Sequence, residues 1–222
     1  MSFDFIAPHY RWLESIVFAN ALQSARTFFL DKIPTPKNVL IAGEGNGRFL
    51  QEFARRFPKV RLDCVDASAQ MLRLARARLH NQDDQVRFLQ NDLLTWSPED
   101  NKYDLIVTHF FLDCFNETEL EKIVATLAQS ATQNAILLLA DFSIPAGTLR
   151  KAHARGWLWT MHRFFRAVAG ISARKLIDPS PFLEAHGFRC RRRAHWRAGL
   201  VDSAMWERPW CRDGRDTEVL PH

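Results

Sequence analysis

Five consecutive residues, Gly43-Glu44-Gly45-Asn46-Gly47, do most to limit what this chain can become. They follow directly on an apolar run, NVLIA at 38–42, and lead into NGRFLQEFARRF, which sets Phe49, Leu50, Phe53 and Ala54 at helical spacing. A buried strand therefore turns at once into a helix. Glycines at such a junction permit positive φ and leave no side chain between the backbone and a bound molecule. The helix start adds free N–H groups and a partial positive charge. Asp66, in Val65-Asp66-Ala67-Ser68, ends the next strand-like run, at 60–65. It stands about 20 residues past the loop, the spacing at which an acidic residue reaches ribose hydroxyls.

The alternation continues. Residues 10–31 carry Leu13, Ile16, Val17, Leu22, Phe28 and Phe29 at helical spacing, and Pro34 and Pro36 end that segment. Ser68 is placed to cap a helix running to Leu79. Strands are expected at 86–89, 103–108 (YDLIVT) and 134–140 (NAILLLA). A helix between the last two starts at Asn116 or Thr118, with Glu117, Glu119 and Glu121 in its first turn. Strands alternating with helices predict an α/β fold around a mainly parallel sheet. The pattern changes at 149–170, where Trp157, Trp159, His162, Phe164 and Phe165 mix with basic residues. Pro179 and Pro181 open a short helix ending at Gly187, and strand-like runs at 188–196 and 200–206 meet near Gly199 as a closing hairpin.

The 222 residues suit one domain, with a helical N-terminal segment at 1–35 and a helical lid insert at about 145–180. Hydrophobic residues make up 47%, enough for a sizeable core. The net charge of +5 is diluted among 25 acidic residues, and the only dense basic run is Arg189, Arg191, Arg192, Arg193, so nucleic acid is not the expected partner. Cys64, Cys114, Cys190 and Cys211 form no CxxC pair, so no metal site is expected and a reducing, cytoplasmic setting fits. The opening MSFDFIAPHYR lacks a basic stretch followed by an apolar run, and no apolar run reaches about 18 residues.

The loop spacing is G-x-G-x-G, not the G-x-G-x-x-G of dinucleotide sites, which disfavours an NAD-dependent oxidoreductase. It resembles the class I S-adenosylmethionine-dependent methyltransferases over residues 36–206, especially the small-molecule branch that includes the ubiquinone/menaquinone C-methyltransferases. VLIAGEGNG matches the family's first motif, VDA its ribose site and Asn91-Asp92 its adenine site. The resemblance implies a Rossmann-like three-layer sandwich, with a seven-stranded, mainly parallel sheet ending in an antiparallel hairpin. It implies S-adenosyl-L-methionine on Gly43, Glu44, Gly45, Gly47, Asp66, Ala67, Met71, Asn91, Asp92, Leu93 and His109. Tyr10, in FDFIAPHYRWLE, matches a Tyr that covers the cofactor. One departure stands out: the family usually has an acid where this chain has Ile41. Glu44 is shifted from that place, so either Glu44 or a water takes the role, or binding is weaker.

Methyl transfer mainly needs alignment, and a base only where the acceptor must lose a proton. The segment after the fourth strand, THFFLDCF, lacks the D/N-P-P-Y/F and Pro-Cys motifs of amide and cytosine enzymes. His109 and Asp113 are the candidate catalytic residues for positioning or proton removal. The aromatics Trp157, Trp159, Met161, Phe164 and Phe165 suggest a wall for a small apolar or aromatic acceptor, or else an ordinary helix core. Together with His153, Arg155, Arg163, Arg166, Arg174 and Lys175 they also permit peripheral membrane contact. A non-catalytic S-adenosylmethionine-binding or membrane-surface protein is the alternative from another class.

Overall fold

A computed structural model describes residues 19–79, 83–143, 176–196 and 199–209. Tyr10, Cys211 and the aromatic and basic residues expected at 149–175 lie outside these described residues. So does most of the expected 145–180 insert.

The alternating pattern folds as expected. The order is α1 (Ala19–Thr27), β1 (Asn38–Ala42), α2 (Arg48–Arg56), β2 (Arg61–Asp66), α3 (Ala69–Leu79), β3 (Val86–Gln90), β4 (Tyr103–His109), α4 (Glu117–Ser130), β5 (Ala131–Phe142), α5 (Ser180–Ala185), β6 (Arg189–Trp196) and β7 (Val201–Glu207). The strands form one sheet in the order β3-β2-β1-β4-β5-β7-β6. The pairs β1–β2, β1–β4, β2–β3 and β4–β5 are parallel, whereas β7 runs antiparallel to β5 and β6. The strand order reverses at β1, and the crevice beyond the carboxyl ends of β1 and β4 is where such sheets bind ligands.

Alternation along the strands divides the core into two layers. Leu40, Ile106, Leu137, Leu139, Ala204 and Trp206 pack on one face with α4 and α5. Val39, Ile41, Leu105, Val107 and Leu138 pack on the other with Phe49, Leu50 and Phe53 of α2 and Leu72 and Ala75 of α3. Ile41, where the family usually has an acid, is thus a core residue, 1% exposed.

Helix starts follow the sequence. Asn116, not Thr118, caps α4: its side chain accepts from the Glu119 N–H and the Glu119 side chain accepts from the Asn116 N–H, each at 3.1 Å. Ser68 Oγ accepts the Met71 N–H at 3.2 Å. Strand β5 starts three residues before the expected Asn134, because Asn134 takes positive φ (66°) and the register shifts there without breaking the pairing with β4.

At the amino-terminal end of the sheet, opposite the crevice, Asp63 on β2 gathers a polar cluster. It accepts from Arg87 on β3 at 2.8 and 2.6 Å and from the buried Tyr103 hydroxyl on β4 at 2.6 Å, and Lys102 lies at 3.3 Å. Burial raises the Asp63 carboxyl, but these partners more than offset it and hold it below the usual range. The cluster ties three strands together without touching the crevice.

Candidate cofactor and acceptor site

The cleft lies where β1, β2 and β4 end, and its space is about 760 Å³ counting the solvent-open mouth. Gly43, Gly45 and Gly47 all take positive φ, at 68°, 67° and 81°. Their surroundings differ. A Cβ on Gly45 would meet nothing within 4 Å, so the backbone there faces open space. A Cβ on Gly47 would lie 2.6 Å from the Ala75 Cα. Gly47 therefore lets α2 and α3 approach closely and does not line the cleft, unlike the ten other expected cofactor contacts among the described residues.

Asp66 is held in place by the turn it closes. One carboxylate oxygen accepts the Gly45 N–H at 3.2 Å and the other accepts the Ser68 N–H at 2.9 Å. Asp66 also lines the cleft. Ala67, Met71, Asn91, Asp92 and Leu93 continue the wall. The Asn91 N–H bonds the Asp66 carbonyl at 3.2 Å, and Asp92 Oδ1 accepts the Leu94 N–H at 3.0 Å, which folds that segment beside the cleft.

Glu44 and His109 sit at the other end. Glu44 Oε1 accepts the N–H groups of Phe49 and Leu50 at 3.0 and 3.1 Å, so it caps α2. Burial pushes its carboxyl up to about 7, against the pull of those amides and of Arg26. His109 is 6% exposed, edge-on to Phe49 at 4.7 Å, and neither ring nitrogen has a hydrogen-bond partner. Burial, with the Arg26 charge, lowers it to about 3. It is a neutral ring and a weak proton acceptor.

Several cleft residues carry no sequence signal. Arg26 of α1, 6% exposed, lines the cleft and stacks over the Phe110 ring at 4.8 Å. Phe110 itself takes positive φ (54°), a strained state for a bulky residue, and so turns the chain out of β4. Phe111 then lies over Gly43. Cys114 and Phe115 complete the apolar side, and Asp113 is in the short 3-10 turn Leu112–Cys114. The glycine loop, Asp66 and Asn91-Asp92 belong to local patterns; Arg26 reaches the cleft through the packing of α1 on the sheet.

The arrangement defines a class: a Rossmann-like α/β protein whose glycine loop and strand-terminal acid border one cleft at the carboxyl ends of the strands. Comparisons sharpen it. Residues 39–134 match the family model of the methyltransferase domain. The chain is 34% identical over 103 residues to trans-aconitate 2-methyltransferase of Variovorax paradoxus, covering 45% of this chain and 38% of that one. It is 29% identical over 175 residues to demethylmenaquinone methyltransferase of Deinococcus radiodurans, covering 72% and 71%. Its fold matches the N-methyltransferase NodS of Bradyrhizobium japonicum, solved with S-adenosyl-L-homocysteine, at TM-score 0.65 and 15% identity over 90% of this chain and 92% of that one. The chain spans 40% or less of the length of several curated relatives it matches.

Residues 39–134 therefore carry a methyltransferase domain's sequence signature, and the chain is similar to S-adenosylmethionine-dependent methyltransferases in sequence and fold. The open space over Gly45 and the anchored Asp66 carboxylate fit that cofactor.

Proposed function

We propose that the protein transfers a methyl group from S-adenosylmethionine to a small acceptor with an apolar or aromatic body. The observation that carries the donor is Asp66: its carboxylate is fixed by the Gly45 and Ser68 amides at the rim of a cleft lined by Ala67, Met71 and Leu93. In this reading Asp66 holds the ribose, and Asn91, Asp92 and Leu93 surround the adenine. Arg26, a buried cation beside the cleft, suits the carboxylate of the methionine end, which Glu44, occupied with the α2 amides, does not.

The bound sulfonium supplies an activated methyl group. The chain's own part is to bind, align and exclude water. Phe110, Phe111 and Phe115 supply the apolar surface on the acceptor side. His109, neutral and weakly basic, lines the cleft and is a positioning group, whereas Asp113 stands behind the cleft wall in the turn beside Cys114. The names of the relatives support a small acceptor, demethylmenaquinone among them.

Calorimetry with S-adenosylhomocysteine tests the donor. Wild type binds it and does not bind NAD. Asp66→Ala weakens binding by about 1.5–3 kcal/mol, the worth of charge-assisted hydrogen bonds, with unchanged circular dichroism. Binding of NAD in place of S-adenosylhomocysteine would end this reading. A screen with methyl-labelled donor then identifies the acceptor.

A further inference from the structure

We propose that the acceptor carries a flexible apolar chain, and that this chain leaves the cleft at Phe110 and lies along an aromatic rim to Phe28. The inference rests on the methyltransferase reading and specifies its substrate class.

The rim begins in the cleft, which Phe110 lines. The Phe110 ring lies 5.1 Å from that of Phe142, the last residue of β5. Strand register carries the apolar row onward. Phe142 stands opposite Val201 on β7, and Val201 stands opposite Trp196 on β6. Residues opposed in antiparallel strands share a face, so these three side chains lie on one side of the sheet. The adjacent Asp141 and Asp202 alternate to the other side and leave the row apolar. The Ser143 N–H donates to the Leu200 carbonyl at 3.0 Å, which holds Leu200 beside the end of β5. The Trp196 ring then meets Phe28 edge-on at 5.1 Å.

These side chains are not closed into the core. Helix α1 covers the middle of the row, where its Leu22 and Ala25 cluster with Ala140 and the fully buried Val201. Phe110, Phe142, Trp196 and Leu200 surround that contact and stay only partly buried. Among the described residues Phe28 is the exposed large apolar side chain, 41% open. Lys32 Nζ sits over its ring at 3.2 Å and marks where the strip ends at water.

From β4 to β6 the strip crosses three strand spacings, about 14 Å. A single ring does not cover that length, whereas an extended hydrocarbon chain does. The partly open rings offer apolar area that such a chain removes from water. A chain held along the rim anchors the reacting head in the cleft, so that binding energy far from the methyl group serves its alignment.

The test uses the full chain saturated with S-adenosylhomocysteine and three probes that differ only in chain length, phenol, 4-butylphenol and 4-octylphenol, followed by NMR titration. Affinity rises by about two- to fourfold per added methylene. Trp196→Ala and Phe28→Ser each remove most of the gain between butyl and octyl, while the affinities for phenol and for S-adenosylhomocysteine are unchanged. Phe28→Ser, at an exposed position, serves if Trp196→Ala fails to fold. An affinity independent of chain length, no binding by any probe, a length dependence unaffected in the folded variants, or an equal loss for phenol and octylphenol overturns the proposal. Dimerisation of the wild type that Phe28→Ser abolishes gives the rim to a second copy and also overturns it. Failure of wild type to bind S-adenosylhomocysteine is the separate result that overturns the donor assignment.

Discussion

The ring of Phe111 lies on the backbone of Gly43 so closely that a Cβ added there would come within 2.1 Å of it. The aromatic ring, carried on the turn after β4, occupies the space directly over the first glycine of the loop. Glycine is required at position 43 for that contact as well as for its positive φ of 68°.

The contact predicts that the ring competes for the cleft. Phe111→Ala binds S-adenosylhomocysteine at least as tightly as wild type and associates faster, as measured by calorimetry and stopped-flow fluorescence. Binding about tenfold weaker would instead make the ring a wall on which the cofactor packs.

The loop glycines should separate by function. Gly45→Val places a branched side chain in the open space beside the loop and abolishes S-adenosylhomocysteine binding, while thermal unfolding shifts by only the roughly 1–2 kcal/mol of a non-glycine residue at positive φ. Gly47→Val drives its side chain into the Ala75 backbone and lowers the melting temperature far more. Equal loss of stability in both would contradict this division.

Two groups in the cleft respond to pH in opposite directions. The His109 proton affinity is depressed from 6.5 to about 3, so its contribution to stability is present above pH 6.5 and is lost as pH falls toward 3. Glu44 is raised from 4.5 to about 7, so its contribution is full below pH 4.5 and is lost as pH rises through 7. Between pH 4.5 and 6.5 the two slopes oppose each other. Denaturant unfolding against pH should therefore show that His109→Asn unmasks a falling limb with rising pH, and Glu44→Gln a rising one. Each slope is at most about 1.4 kcal/mol per pH unit. Curves parallel to wild type in both variants would disprove these shifts.

Asp63 predicts a purely structural phenotype. Asp63→Ala leaves the buried Tyr103 hydroxyl unpaired and Arg87 without its partner, at a cost of about 2–3 kcal/mol. Tyr103→Phe in the Asp63→Ala background should cost little more, because the two share one interaction. Cofactor affinity, measured by calorimetry, stays at the wild-type value in both. The depressed Asp63 carboxyl contributes stability above pH 3.8 that is lost as pH falls below it, so the variant also loses part of the acid sensitivity.

The sequence alone determined the strand, the glycine loop and the helix after it, Asp66 at the end of β2, and the closing hairpin. These are local signals: periodicity, glycine at positive φ and side-chain caps act within a few residues of chain. The register of the sheet and the packing of α1 decided the rest. Arg26 and the β4 turn are 84 residues apart in the chain from Arg26 to Phe110, yet meet through a ring contact at 4.8 Å. Gly45 and Gly47 read alike in sequence, and only the approach of Ala75 tells them apart. Asp141 reads as the polar end of an apolar strand. Its pairing with Asp202, 61 positions along the chain, makes it a buried carboxyl among carboxyls, because antiparallel register sets side chains from distant segments on one face.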